Sequence, residues 1–235
     1  MEVNLINKED CKNFFKTWGE FACVCYDTDK KHAERVGKSC LESGHFSGSR
    51  AFSFVFEIKD VSRRCTHQLV RHSVGVTINQ RSQRYCSEED FKYVTPPSIK
   101  NNPNAKKFYD NCMKEINVMY SLLNNGLSKH LEGEELHQDT RYLLPNACVT
   151  ELTMGFTLEA LIHFCEERMC TASQWEIRVL ANAMKKEVVE VLPELDKYLN
   201  AKCVNLGYCP ESSKRCCGKR PNKENIKIIN INGGK

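Results

Sequence analysis

The chain has 235 residues, a formal net charge of +4, 41% hydrophobic residues and 27% charged residues. These values exclude a disordered chain and a strongly basic nucleic-acid binder. They fit one large domain with appendages and, as a ligand, an anionic small molecule. The opening MEVNLINKED carries no apolar run of signal-peptide length, and no stretch approaches a membrane span. The expectation is a cytoplasmic protein without membrane or nucleic-acid partners.

In chain order, the first predicted element is a helix over 29–43. Ala33, Val36, Cys40 and Leu41 share one of its faces, and Gly44 follows as a stop. Residues 51–58 place aromatics at every second position, which predicts a strand with a Phe face toward the core. Asp60 is the expected cap of a helix running to about His72, with Gln68, Arg71 and His72 on one face. Residues 73–81 read as a loop or short extended segment, continued by a strand over 82–86. Pro96-Pro97 and Asn101–Asn104 mark a surface loop.

A long amphipathic helix is predicted over 105–123, with Phe108, Cys112, Ile116, Met119 and Leu123 on its apolar face. Asn124-Asn125-Gly126 ends it. A short helix over 134–144 leads to Pro145, another helix spans 157–168, and a last one spans 173–199. Ser173 and Glu176 form a capping box for the last, and Pro193 bends or breaks it. Helices dominate, so the class is α+β: a helical part packed on a small, mainly antiparallel sheet.

One polar block dominates the chemistry. Thr66–His72 and Asn79–Tyr85 hold three arginines, two histidines and three glutamines. A protein interior tolerates such density only where each donor finds a partner. Arginine forks match phosphate oxygens, and Gln and Ser add directional hydrogen bonds, so the block predicts a phosphorylated polar ring as ligand. Arg141 and Arg168 stand in helical or helix-flanking contexts and are further candidates.

Fourteen cysteines are scattered along the chain. Without a secretion signal they read as reduced, small hydrophobes. Cys203, Cys209, Cys216 and Cys217 cluster in a basic C-terminal stretch, but their spacing lacks paired zinc knuckles. The same holds for His45, His67 and His72, so no metal site is assigned. Residues 1–199 are expected as the catalytic domain and 200–235 as a Cys-rich basic tail.

Four segments together resemble the flavin-dependent thymidylate synthases. They are Glu42-Ser43-Gly44-His45, the Cys65–Tyr85 block, Arg141-Tyr142-Leu143-Leu144-Pro145 with Ala147, and Ala172–Arg178. The resemblance implies the fold of the thymidylate synthase complementing proteins and a homotetramer with shared active sites. It also implies reductive methylation of dUMP to dTMP with methylenetetrahydrofolate, FAD and NADPH.

Carried over by position, Gln68, Arg71, Gln80, Arg81, Ser82, Gln83, Arg84, Arg141 and Arg168 would hold the nucleotide. Arg168 would be the catalytic group beside the uracil ring. Ser53, Arg71, His72, Ser73, Gln80, Thr157 and His163 would face the flavin.

The chain departs from the family pattern mainly on the flavin side. Arg50 and Ala51 stand where the family has Glu-His, and Ser73 replaces the third arginine of its signature. Thr157-Leu158-Glu159 stands for Asn-Ala-Arg. Each lost charge-assisted hydrogen bond costs about 1.5–3 kcal/mol. Flavin binding is therefore expected to be weakened or rebuilt, with Arg50 as a replacement source of positive charge.

Two alternatives stay open. One is a related enzyme acting at C5 of a pyrimidine nucleotide by altered chemistry, with Cys170 as a conceivable thiolate nucleophile among Cys65, Cys86, Cys148 and Cys165. The other is a nucleotide-binding relic without catalysis.

Overall fold

The computed structural model describes residues 1–226. The chain opens with β1 (Glu2–Leu5), α1 (Lys8–Cys11), α2 (Phe14–Cys25) and α3 (Ala33–Glu42). It continues through β2 (Phe54–Ser62), α4 (Arg63–Leu69), β3 (Val76–Gln80), α5 (Pro97–Lys100) and α6 (Pro103–Leu127). Next come α7 (Gly133–Thr140), β4 (Val149–Phe156), α8 (Leu158–Arg168), α9 (Trp175–Val191) and α10 (Lys202–Leu206). The strands form one sheet in the order β1-β2-β4-β3. β3 and β4 run antiparallel: Thr157 N–H donates to Gly75 C=O at 2.9 Å, and Arg81 N–H to Glu151 C=O at 3.0 Å. The α+β expectation holds. Among the described residues no helix is long and apolar enough to cross a membrane.

The chain divides into two compact units. The first comprises Met1–Val3, Glu57–Ser73 and Thr77–Met154. Its core includes Phe91, Met113 and Cys148, packed by Tyr93, Tyr109, Ile116 and Leu144. The second comprises Asn4–Phe56, Val74–Val76 and Gly155 onward. Phe14, Phe15 and Trp18 of α2 are buried there, with Phe14 and Phe54 ring centroids 5.1 Å apart. α2 meets α3 at backbone distance: a Cβ on Gly19 would stand 1.7 Å from the Ala33 carbonyl oxygen. Only glycine permits that approach.

Several predicted elements shift for identifiable reasons. Residues 46–51 are a 3-10 turn and β2 starts at Phe54, so the buried Phe face is Phe54, Phe56 and Ile58. β2 then runs through Asp60, which takes a φ of +55°, and the cap of α4 is Ser62, whose side chain accepts from Cys65 N–H at 3.0 Å. α4 ends at Leu69, so Gln68, Arg71 and His72 do not share a helical face. Residues 82–86 form a turn rather than a strand.

α6 begins at Pro103, continues past Gly126 to Leu127, and buries Met113, Tyr120 and Asn124. The expected apolar face is buried only in part: Ile116 packs on the core, whereas Phe108 is 72% exposed and Met119 53%. The cap of α9 is Gln174, whose side chain accepts from Glu176 N–H at 3.0 Å and Ile177 N–H at 3.1 Å. Ser173 instead donates to the Glu167 carbonyl. α9 stops at Val191, before Pro193.

Helix α2 has no counterpart among the predicted elements. Its buried residues Phe14, Phe15, Trp18, Gly19, Ala22 and Cys23 nonetheless recur at helical spacing.

Candidate functional site

In the first unit the polar block is built on the β3–β4 pairing. The antiparallel register sets Gln80 beside Thr66 and Thr150, and its amide donates to both hydroxyls, at 3.1 and 3.3 Å. One residue on, Arg81 ion-pairs with Glu88 and donates to the Ser87 carbonyl at 3.2 Å. Glu88 is only 6% exposed. Arg81 is thus the counter-ion of a buried carboxylate, and its guanidinium fixes the turn that follows.

That turn places the next three candidates differently. The Ser82 hydroxyl accepts from Arg84 N–H at 3.1 Å, closing the turn on itself. Gln83 is buried and donates to the Cys148 sulfur at 3.6 Å, which makes it part of the core. Arg84 remains half-exposed, paired with Glu134 of α7 and lying 5.8 Å from the Tyr85 ring centre. Arg141, at the far end of α7, donates from Nε to the Gln138 carbonyl at 3.2 Å. Arg84 and Arg141 therefore bracket one short helix.

Gln68 is half-buried in the last turn of α4, and the exposed Arg71 donates its N–H to the Gln68 carbonyl at 3.3 Å. His72 N–H closes the same turn on Leu69 at 3.0 Å, and Ser73 is exposed just beyond.

Arg63 belongs to this group and was missed by the sequence reading. Its Nη1 donates to the Arg81 carbonyl at 3.3 Å. Burial holds its guanidinium below the ordinary arginine value, with Cys148, Glu88 and Arg141 as charged or titratable neighbours. The available signal was its position at the strand–helix joint immediately before the Thr66–His72 segment. Burial also pushes Cys148 up to about 11, with Glu88 adding to the rise, so this sulfur stays a neutral thiol at physiological pH.

In the second unit two cavities share one ion pair. Arg50 donates from Nε and Nη2 to the two carboxylate oxygens of Glu159, the second bond at 3.1 Å. The Arg50 guanidinium lowers Glu159 below the ordinary carboxylate value. On one side lies a cavity of about 450 Å³ lined by Val74, Gly75, Thr157, Ala160 and His163 besides the pair. The other, about 590 Å³, is lined by aromatics that include Trp18, Phe21, Tyr26 and Phe46. The buried Trp18 Nε1 has no hydrogen-bond partner among the described residues.

The smaller cavity includes the start of α8. Thr157 caps that helix, its hydroxyl accepting from Ala160 N–H at 3.4 Å. Gly75 has a φ of +69°, and a Cβ there would stand 2.5 Å from Thr157 Oγ1. A helix N-terminus with a nearby guanidinium favours an anion. Thr157 and His163 line this one cavity, and the Ser53 carbonyl accepts from Asn7 Nδ2 at 2.9 Å.

Arg168 ends α8 and is half-exposed. The loop after it is held by the Gln174–Arg178 segment. Arg178 Nη1 donates to the carbonyls of Thr171 at 2.9 Å and Ser173 at 3.3 Å, while Gln174 starts α9. Burial pushes nearby Cys165 up to about 12, which removes it as a thiolate candidate. Cys170 is half-buried in the same loop.

The thymidylate synthase complementing protein family profile matches residues 5–194. The flavin-dependent thymidylate synthase of Nitratidesulfovibrio vulgaris is 41% identical over 189 residues, covering 80% of this chain and 77% of that protein. The enzyme of that name from Clostridium tetani is 34% identical over 199 residues, covering 81% and 79%. That of Pyrococcus abyssi is 32% identical over 229 residues, covering 92% and 89%. Matched over most of its length by both profile and relatives, the chain belongs to the thymidylate synthase complementing protein family.

Proposed function

We propose that this chain is a flavin-dependent thymidylate synthase, which converts dUMP to dTMP by reductive methylation with methylenetetrahydrofolate and NADPH. One observation carries the reading: the family match over 5–194 spans every nominated site residue, from Ser53 to Arg168. Residues 1–199 would form the catalytic domain, with the fold of that family, and 200–235 an appended segment. The assembly would be a homotetramer.

On the nucleotide side, Ser82, Arg84 and Arg141 would meet phosphate and sugar, with Gln68 and Arg71 beside them. Gln80, Arg81 and Gln83 act by bracing the turn, as their side chains already have partners inside the unit. Arg168 would sit at the uracil ring. A guanidinium stays protonated at all working pH values, so it can stabilise negative charge at N3 and favour nucleophilic character at C5.

The cofactor-side residues fit a ring carrying a diphosphate. A cation, a capped helix start and an orphaned buried indole N–H line cavities walled by aromatic and small residues. Arg50 would hold the diphosphate, with Thr157 and His163 near the ring or its linker; His72 and Ser73 are assigned to the flavin by the family resemblance alone. When bound, the flavin supplies the redox and one-carbon chemistry, which belong to the cofactor.

The test is direct. The purified chain is supplied with dUMP, methylenetetrahydrofolate, FAD and NADPH, and dTMP is measured. Product that depends on all four is expected. Nucleotide binding without dTMP under these conditions would overturn the assignment.

A further inference from the structure

The C-terminal segment carries chemistry that the proposed synthase reaction does not use. Cys209 and Asn222 form a parallel bridge, with Cys209 N–H on the Pro221 carbonyl at 2.7 Å and Lys223 N–H on the Cys209 carbonyl at 2.9 Å. Asn222 Nδ2 reaches back to the Glu211 carbonyl at 2.8 Å. The loop between them is thereby closed at its base. Inside it, Cys216 N–H bonds the Ser212 carbonyl at 3.0 Å, and the Cys216 sulfur accepts from Gly218 N–H at 3.4 Å. The Cys216 thiol donates to the Arg220 carbonyl at 3.9 Å, beside the Pro221 carbonyl that receives Cys209 N–H, so both cysteines abut residues 220–221.

Helix α10, which leads into the loop, is docked on the end of α8. Lys202 pairs with Glu167 at 3.5 Å, and Asn205 Nδ2 donates to Glu166 at 3.0 Å. Cys203 and Cys170 lie near enough to influence each other. Among the described residues, however, no three donors are placed to hold a metal ion.

We propose that Cys209 and Cys216 form a redox-active dithiol, which closes to an intrachain disulfide by exchange with a small-molecule disulfide. Cys209 at the base of this short, pinned loop and Cys216 within it both pack against residues 220–221, which brings them to the same stretch of chain. The two sulfurs have different tasks. Cys216 is the more exposed. Its thiol is lowered by the Gly218 N–H and by Cys209, while burial raises Cys209.

Cys216 thiolate attacks one sulfur of the reagent R–S–S–R and expels a thiolate, leaving a mixed disulfide. Cys209 then loses its proton and attacks the Cys216 sulfur, forming the intrachain bond and expelling the second thiolate. Two electrons pass to the small disulfide. The two protein protons end on its two thiols.

The full chain, reduced and freed of reductant, is mixed with oxidised glutathione, quenched in acid, alkylated and digested with trypsin. Cleavage at Lys214 and Arg215 separates the two cysteines, so a disulfide joins two peptides that mass spectrometry identifies. The expected result is that joined pair, formed about tenfold faster than glutathione adds to the buried Cys11 or Cys165. Cys209→Ser should stop at the mixed disulfide on Cys216, and Cys216→Ser should leave Cys209 unmodified. The proposal is overturned if the joined peptide is absent, if Cys209 reacts equally well in Cys216→Ser, or if a stoichiometric zinc ion on these sulfurs blocks exchange.

Discussion

Arg50 and Glu159, 109 residues apart in sequence, form a two-pronged ion pair that lines two cavities of the second unit. Both are positions where the chain departs from the family pattern. The pattern places an acid at the first and an arginine at the second, and here the signs are exchanged. Two departures that look separately damaging to a cation-dependent pocket thus compensate one another in charge. As an exposed pair it adds little to stability.

The exchange predicts opposite effects for its two members. Arg50→Gln should weaken FAD binding about tenfold or more, because the diphosphate loses its charge-assisted donor. Glu159→Gln should tighten it, because the guanidinium no longer has a competing carboxylate. Quenching of flavin fluorescence on titration measures both. Equal weakening by the two variants would show that Arg50 is not the diphosphate cation.

Arg81 and Glu88 predict a stability effect in a loop that also carries the proposed substrate contacts. Arg81→Ala strands a buried carboxylate and should cost about 3 kcal/mol in a urea titration. Arg81→Ala with Glu88→Gln should recover part of that loss. No recovery would place the importance of Arg81 outside this pair.

Arg168→Ala should leave the melting temperature within a few degrees of the parent and lower kcat about 100- to 1000-fold, the usual scale for losing one preorganised charge stabiliser. dUMP affinity, measured by calorimetry, should change far less. A parallel loss of fold and activity would instead make Arg168 a structural group of the α8 terminus.

Cys148 links pH to stability on the alkaline side. Its folded value of about 11 lies above the ordinary 9.0, so the folded state holds its proton more tightly than the unfolded chain does. Stability should be undiminished below pH 9 and fall as pH rises from about 9 toward 11, because the unfolded thiol ionises first. Cys148→Ala should flatten that decline in thermal scans between those limits, and the native thiol should resist alkylation at pH 7.

Where periodicity and caps act within one segment, the sequence was legible. The helix starting at Thr157 and the one ending before Gly44 are local facts, set by a side-chain cap and a glycine of positive φ. The start of β2 and the buried side of α6 were misread, because burial depends on what lies across from a side chain. Phe108 and Met119 have the composition of a core face yet point outward. Strand β4 was not foreseen, although Leu152, Met154 and Phe156 alternate into the core.

The amino-acid sequence by itself determined the α+β class, the concentration of arginines and amides between Thr66 and Tyr85, and the likeness to one enzyme family. Those follow from residue type and spacing, which the chain carries wherever it folds. Only the tertiary structure decided which of those polar groups are already paired. Arg81 answers to Glu88, Gln83 to Cys148 and Arg50 to Glu159. A charged side chain reports its capacity for a partner in the sequence, but its partner is fixed by packing between distant segments, where the cost of burying an unpaired charge selects one arrangement.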